Sequence, residues 1–332
     1  MPPPIPTTHD PIDTAIIIVG AQRSGTTWLG KIFDSHPDVL YRHEPDEAHP
    51  LPPNAAPEAI RAGVAAWAAE RGARAAGKRP FFRKSWQPAR LHWLRNAIAA
   101  GLAAASRLPV IGRVAAGVPL PDFVQAAGRP RLRFVLKSVA LCHSVGDLAR
   151  ALPDSRVVVI LRHPCGQVHS VMRGNAHRRF DLRAAGTDMP YDEVMALRAA
   201  AERGIDDAGF QALADAAKYA WGWVAFNEAA LASARALPNV RTILYEDLCA
   251  APQAQARALF AFADLGWAAQ TGDFQARSSS GGDADSYYAV FRDSADAAER
   301  WRTRMPAADQ QAVRAVVRLS WLASLWPDLA AP

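Results

Sequence analysis

The 332-residue sequence predicts a three-layer α/β fold built on a central parallel sheet, with one helical insertion. Three observations carry this expectation. Four short runs are apolar without alternation, as strands buried on both faces are. Helical spacing of apolar residues follows each of them, and the first run closes on a glycine-bounded turn that leads straight into a helix.

Along the chain, the proline-rich residues 1–13 read as a disordered tail and residues 14–332 as a single domain. Ala15–Gly20 is the first buried strand. Thr26–Ser35 then sets Trp28, Leu29, Ile32 and Phe33 at helical spacing, and His36-Pro37 stops that helix because proline cannot continue it. Leu132–Lys137, Val157–Leu161 and Val240–Tyr245 are the further strands; helices are expected over His143–Leu152, Cys165–Asn175, Ala208–Ala236 and Pro252–Ala263. Strands alternating with helices need crossovers, and crossovers make the sheet parallel. Residues 46–130 are rich in Pro, Ala, Arg and Trp and hold no strand-like run, so they form the helical insertion, suited to cover the sheet's C-terminal edge. Residues 277–295 have the composition of a mobile loop ahead of a final helical pair.

Half the residues are hydrophobic, enough for a sizeable core. A net charge of +6 points to an anionic ligand or surface, but the excess reads as spread over the chain rather than clustered, so no nucleic-acid partner is expected. Cys142, Cys165 and Cys249 are odd in number and in no metal-ligand spacing, which fits a reducing compartment without disulfides or a metal. No signal peptide is visible, and the longest apolar stretch, residues 93–120, is interrupted by Arg95, Arg107, Pro109 and Arg113. The expectation is a cytoplasmic protein in which that stretch is available for peripheral membrane contact.

The chemistry starts at "IIIVGAQRSGTTWLG", Ile16 to Gly30. Strand, glycine-bounded loop and helix give a P-loop-like phosphate cradle, where backbone N–H groups and the helix dipole favour an anion. Thr26 stands where a triphosphate site needs lysine. Arg23, Ser24, Thr26 and Thr27 add side-chain donors around Gly25. A second segment, "VVVILRHPCGQVHSVMRG", places Arg162 just past a strand and Ser170 eight residues later, early in the next helix. Both would face the crevice over the strand ends and could grip a second phosphate.

Together, "RSGTTWL" and "LRHPCGQVHS" resemble the two signature segments of sulfotransferases that use 3'-phosphoadenosine 5'-phosphosulfate (PAPS). The resemblance implies that the first loop, Arg23 to Trp28, binds the 5'-phosphosulfate and that Arg162 and Ser170 bind the 3'-phosphate. One phosphate carrying a sulfuryl group needs neither the P-loop lysine nor Mg²⁺. The stretch "RSGTTWLGKIFDSHPDVLYRHEP" looks like the bacterial and tyrosylprotein branches, in which a glutamate shortly after His-Pro is the base; here that is Glu44. Cytosolic branches use a histidine two residues after a strand lysine, but Val139 follows Lys137 at that spacing. The resemblance assigns Lys137 to the bridging oxygen and the transferred group. It places Tyr245 of "ILYEDL" near the adenine, and Arg292 or Arg300 of "AVFRDSADAAERWR" over the 3'-phosphate.

Other readings stand beside these. Glu44 could pair with Arg42, His43 is a rival base, and Asp247 could simply cap a helix. The whole chain could be a nucleotide kinase or hydrolase, or a nucleotide-binding module without turnover. The acceptor, a small molecule, carbohydrate or lipid-like compound, is not specified, although Trp67, Trp86 and Trp93 hint at a bulky one.

Overall fold

The computed structural model describes residues 11–52, 54–105, 108, 111–125, 132–176, 191–232, 234, 236–280 and 294–330. Among these, five strands form one sheet: β1 (Ile16–Val19), β2 (Val39–His43), β3 (Arg133–Ser138), β4 (Arg156–Leu161) and β5 (Val240–Leu244). Their order is β2-β3-β1-β4-β5, and every neighbouring pair is parallel. Helix α1 (Thr26–Asp34) follows β1; α2 (Pro57–Ala69), α3 (Ala73–Ala76), α4 (Ala89–Ala105) and α5 (Gly112–Gly117) lie between β2 and β3; α6 (Val145–Ala151) follows β3. Between β4 and β5 come α7 (Pro164–Ala176), α8 (Tyr191–Ala201), α9 (Asp207–Gln211) and α10 (Asp215–Ala232). The chain finishes with α11 (Tyr245–Ala250), α12 (Pro252–Phe262), α13 (Ala269–Ser280), α14 (Ser294–Glu299), α15 (Trp301–Arg304), α16 (Ala307–Val317) and α17 (Pro327–Ala330).

Successive strand residues point to opposite faces. Ile17 and Val19 enter one core with Leu136 and Val159, covered by Trp67 of α2, Leu148 of α6 and Trp221 of α10. Ile16 and Ile18 enter the other with Val135 and Val158, covered by Phe33 of α1, Phe260 of α12 and Phe274 of α13. Each β1 side chain is fully buried and contributes about 1.5–3 kcal/mol relative to exposure. With helices on both faces there is no solvent side, which is why these strands read as unbroken apolar runs.

This is a P-loop-like α/β architecture, and it makes a crevice. From β1 the chain leaves toward β2 at one edge, while from the adjacent β4 it leaves toward β5 at the other. The loops after β1 and β4 therefore diverge over the carboxyl ends of the strands, the place where open α/β sheets bind ligands.

Several elements differ from the expectation. β2 was not anticipated, because Tyr41, Arg42 and His43 break the apolar run that marks the other strands. All three are buried: Arg42 pairs with Asp122 at 2.6 Å, and the Tyr41 hydroxyl meets His43 Nδ1 at 3.0 Å. The expected helix Ala208–Ala236 is two helices, α9 and α10, the first capped by the Asp206 carboxylate accepting from the Gly209 N–H. Tyr245 opens α11 instead of ending β5. Residues 277–280 of the expected loop continue α13, and residues 281–293, Arg292 among them, lie outside the described residues. Within 46–130, the described residues contain α2 to α5 and an isolated bridge between Gly72 and Pro119.

Candidate functional site

The loop after β1 turns through two left-handed residues, Arg23 at φ 69° and Gly25 at φ 99°, the latter capping α1. Alternating backbone hand curls successive N–H groups into an anion-binding concavity. Within it Ser24 is fully buried, and its Oγ has no hydrogen-bond partner among the described residues. Thr26 is buried beside it and Thr27 half-buried. A buried hydroxyl without an acceptor fits an anionic oxygen. Gly25 has no room for a side chain, since an added Cβ would meet the Tyr245 ring at 2.4 Å. Gly25→Ala is expected to cost about 1–3 kcal/mol through strain and overpacking, read as a lowered urea midpoint at unchanged slope.

Arg162, just beyond β4, closes the other wall. Its guanidinium donates to the Arg23 carbonyl at 3.1 Å and to the Ala297 carbonyl at 2.8 Å, and lies 4.7 Å from the centre of the Tyr245 ring. Arg23 Nε in turn donates to Ser170 Oγ on α7 at 3.1 Å. Segments well over a hundred residues apart are thus tied together at one crevice. Arg162 is held from behind: Trp223 donates to its carbonyl at 3.0 Å, and the next residue, His163, stacks on Trp301 with ring centres 4.3 Å apart. Burial pushes the His163 imidazole down to about 4, so it is neutral at pH 7 and acts here as a packing plate.

The third part sits at the ends of β2 and β3. Their register sets His43 beside Lys137, which puts Glu44 at the sheet's carboxyl edge. Glu44 is left-handed at φ 52°, its N–H donates to the Lys137 carbonyl at 2.7 Å, and Asp46 accepts from Ser138 Oγ at 2.6 Å. Those two bonds strap the turn to β3. The Lys137 ammonium forms an ion pair with the Glu44 carboxylate, and Arg74 of α3 lies 4.0 Å from the same carboxylate. Burial raises the Glu44 carboxyl, but Lys137, Arg74 and Lys78 outweigh it and hold it below the usual range. Burial pulls Lys137 down against the opposing effect of Glu44. His43 is driven well below its ordinary value by burial and by Lys137 and other nearby cations. Burial lowers the Lys78 ammonium, and Lys137 and Arg23 add to that while Glu44 opposes it.

A cradle built for one anion, a second basic grip and a lysine-paired carboxylate share one sheet edge. The family model described as "Sulfotransferase family" matches residues 15–269, which span all three parts. The chain belongs to the sulfotransferase family. Among solved structures it is similar to the sulfotransferase domain of the Synechococcus PCC 7002 olefin synthase, at 15% identity and TM-score 0.46, covering 92% of this chain and 93% of that one. The sulfotransferase STF9 from Mycobacterium avium is similar at 14% identity and TM-score 0.44, covering 95% of this chain and 77% of that one. No curated protein matched.

In this sulfotransferase, then, Arg23, Ser24, Thr26, Arg162 and Ser170 meet at one crevice, and Glu44 meets Lys137. Arg42 does not pair with Glu44, because Asp122 takes it. Trp28 donates to Ser278 of α13 at 3.1 Å and stands edge-on to Tyr245, whose ring packs beneath Gly25. Arg300 is bonded to Asp296 one turn back. Lys78 and Arg74 were missed, since they lie in the insertion, where no motif offered a foothold.

Proposed function

We propose that this sulfotransferase moves the sulfuryl group of PAPS to a hydroxyl or amine of an acceptor, with Glu44 as general base. The observation that carries the reading is the tie between Arg162, Arg23 and Ser170 beside the Glu44–Lys137 pair. When bound, PAPS supplies the activated sulfuryl group. The loop from Arg23 to Trp28 would hold its 5' end, with Ser24 Oγ donating to a phosphate oxygen; Arg162 and Ser170 would hold the 3'-phosphate. Glu44 takes the proton of the acceptor. Lys137 and Arg23 stabilise charge on the transferred group and on the departing 5'-phosphate, the electrostatic logic of group transfer. The product nucleotide is adenosine 3',5'-bisphosphate.

A phosphate-transferring kinase is disfavoured by Thr26 at the lysine position. The insertion is the acceptor side in this reading, since Tyr41, Lys78, Phe82 and Trp86 line a cavity between it and β2. The acceptor is a small molecule, carbohydrate or lipid-like compound. Labelled PAPS incubated with the protein and acceptors from the native cell extract tests the activity. Absence of labelled product and of released bisphosphate with every extract fraction argues for a non-catalytic module.

Nucleotide recognition has its own expected result. Hydrogen bonds to a charged group are worth about 1.5–3 kcal/mol, so Arg162→Ala should weaken adenosine 3',5'-bisphosphate roughly ten- to a hundredfold while adenosine 5'-monophosphate barely changes. Calorimetry giving equal losses for both nucleotides overturns the assignment of the 3'-phosphate to Arg162.

A further inference from the structure

The positive charge of this chain is not spread evenly, contrary to the reading of the sequence above. Residues 71–121 hold ten Lys and Arg and no Asp or Glu, whereas the rest of the chain holds 28 basic against 32 acidic residues. The same stretch carries most of the exposed apolar surface. Nine large apolar residues are exposed among the described residues, and six of them are Trp93, Leu94, Leu108, Ile111, Val114 and Val118.

These side chains form an outward face. On α4 the exposed positions are Ala89, Arg90, Trp93, Leu94, Ala97, Gly101, Ala103 and Ala104, of which all but Ala89 and Ala103 recur at helical spacing along one side. Apart from Arg90, the polar residues of α4 turn the other way: Arg95 donates to the Ala76 carbonyl at 2.6 Å, and Asn96 bonds His92 at 3.0 Å. α4 is therefore apolar on two sides: Ile98, Ala99 and Leu102 pack inward with Ala76 and Leu120, while a second apolar stripe faces solvent. On α5 and the residues beside it, Ile111, Val114 and Val118 repeat the spacing, with Trp93 72% and Val114 71% exposed. Arg71, Arg79, Arg83 and Arg90 of the same stretch are exposed and make no ion pair among the described residues, and Arg90 stands on the exposed side of α4 itself. No helix of the described residues is long and apolar enough to cross a membrane.

We propose that the α4–α5 hairpin docks this protein onto an anionic lipid surface, with Trp93, Leu94, Ile111 and Val114 entering the headgroup boundary and the flanking arginines meeting acidic headgroups. An exposed apolar stripe on a stretch that carries ten cations and no carboxylate between Arg71 and Pro121 is the pattern of an in-plane interfacial helix. The charges of this stretch are of one sign only, which matches an acidic headgroup layer. The surface lies one layer from the transfer centre, because α3, on which the hairpin packs, carries Arg74 beside Glu44.

The test is co-sedimentation of the whole chain with vesicles of phosphatidylcholine alone or with about one-third phosphatidylglycerol. Strong binding is expected only to the anionic vesicles, weakening as salt rises. Trp93→Glu with Val114→Glu should lower the partition at least about tenfold, as should Arg83→Glu with Arg90→Glu, while bisphosphate binding is retained. Since nucleotide binding is read separately, failure here leaves the transferase reading standing, and the reverse. No binding to either vesicle overturns the proposal. Binding unaffected by both double variants overturns it as well. So does wild-type protein that sediments as a dimer and becomes monomeric on Trp93→Glu, because the face is then covered by a second copy.

Discussion

Glu44→Gln lowers turnover by about 10²–10⁴, the usual worth of a general base, and leaves the affinity for adenosine 3',5'-bisphosphate unchanged. The amide keeps the shape of the side chain and can still accept from the Lys137 ammonium, but it cannot take a proton. The carboxylate is fit for the task because Lys137, Arg74 and Lys78 keep it ionised at neutral pH despite its burial. His43 is the informative control. It is buried, meets the Tyr41 hydroxyl, and stays neutral at pH 7, so His43→Asn should cost stability but hold turnover within about tenfold. Single-turnover measurement with saturating PAPS checks both variants. Near-full turnover in Glu44→Gln with loss in His43→Asn makes the histidine the base.

Lys137→Met is the second large effect, expected to cut turnover by about 10²–10³, the scale seen when one preorganised donor to developing charge is removed. Its side chain is 3% exposed, carried by β3 and ion-paired to Glu44. Removal also leaves the Glu44 carboxylate without its main partner, so its carboxyl rises toward the ordinary value and the variant loses stability. Because the two residues act as a unit, the double variant Glu44→Gln with Lys137→Met should fall little below the worse single one. Multiplying losses in the double variant mean that the two groups act separately, and the pair is then not the transfer centre.

Much of this was legible in the residues. Four strands could be located because a sheet covered on both faces excludes polar side chains, and the first loop because only a strand-to-helix turn needs glycine at Gly20 and Gly25. The spacing of Arg162 and Ser170 pointed to the same sheet edge, but not to Arg23 as the residue that bonds both. β2 was not, because its polar residues are satisfied by partners that local pattern cannot supply, such as Asp122 eighty residues later.

What the sequence by itself determined is the set of groups available: a phosphate loop without lysine, a strand-end arginine with a helix serine, and a carboxylate after His-Pro. Tertiary structure decided which of them act together. Parallel register set Glu44 against Lys137 rather than Arg42, packing spent the Tyr245 ring on Gly25 and Arg162, and an unannounced part of the insertion brought Arg74 beside Glu44. It also left one apolar side of α4 facing outward, because the small cluster of Ala76, Leu120 and their neighbours covers only the side that carries Ile98, Ala99 and Leu102. Electrostatics and burial act over a few ångströms of space, and the chain order of these residues carries no record of that distance.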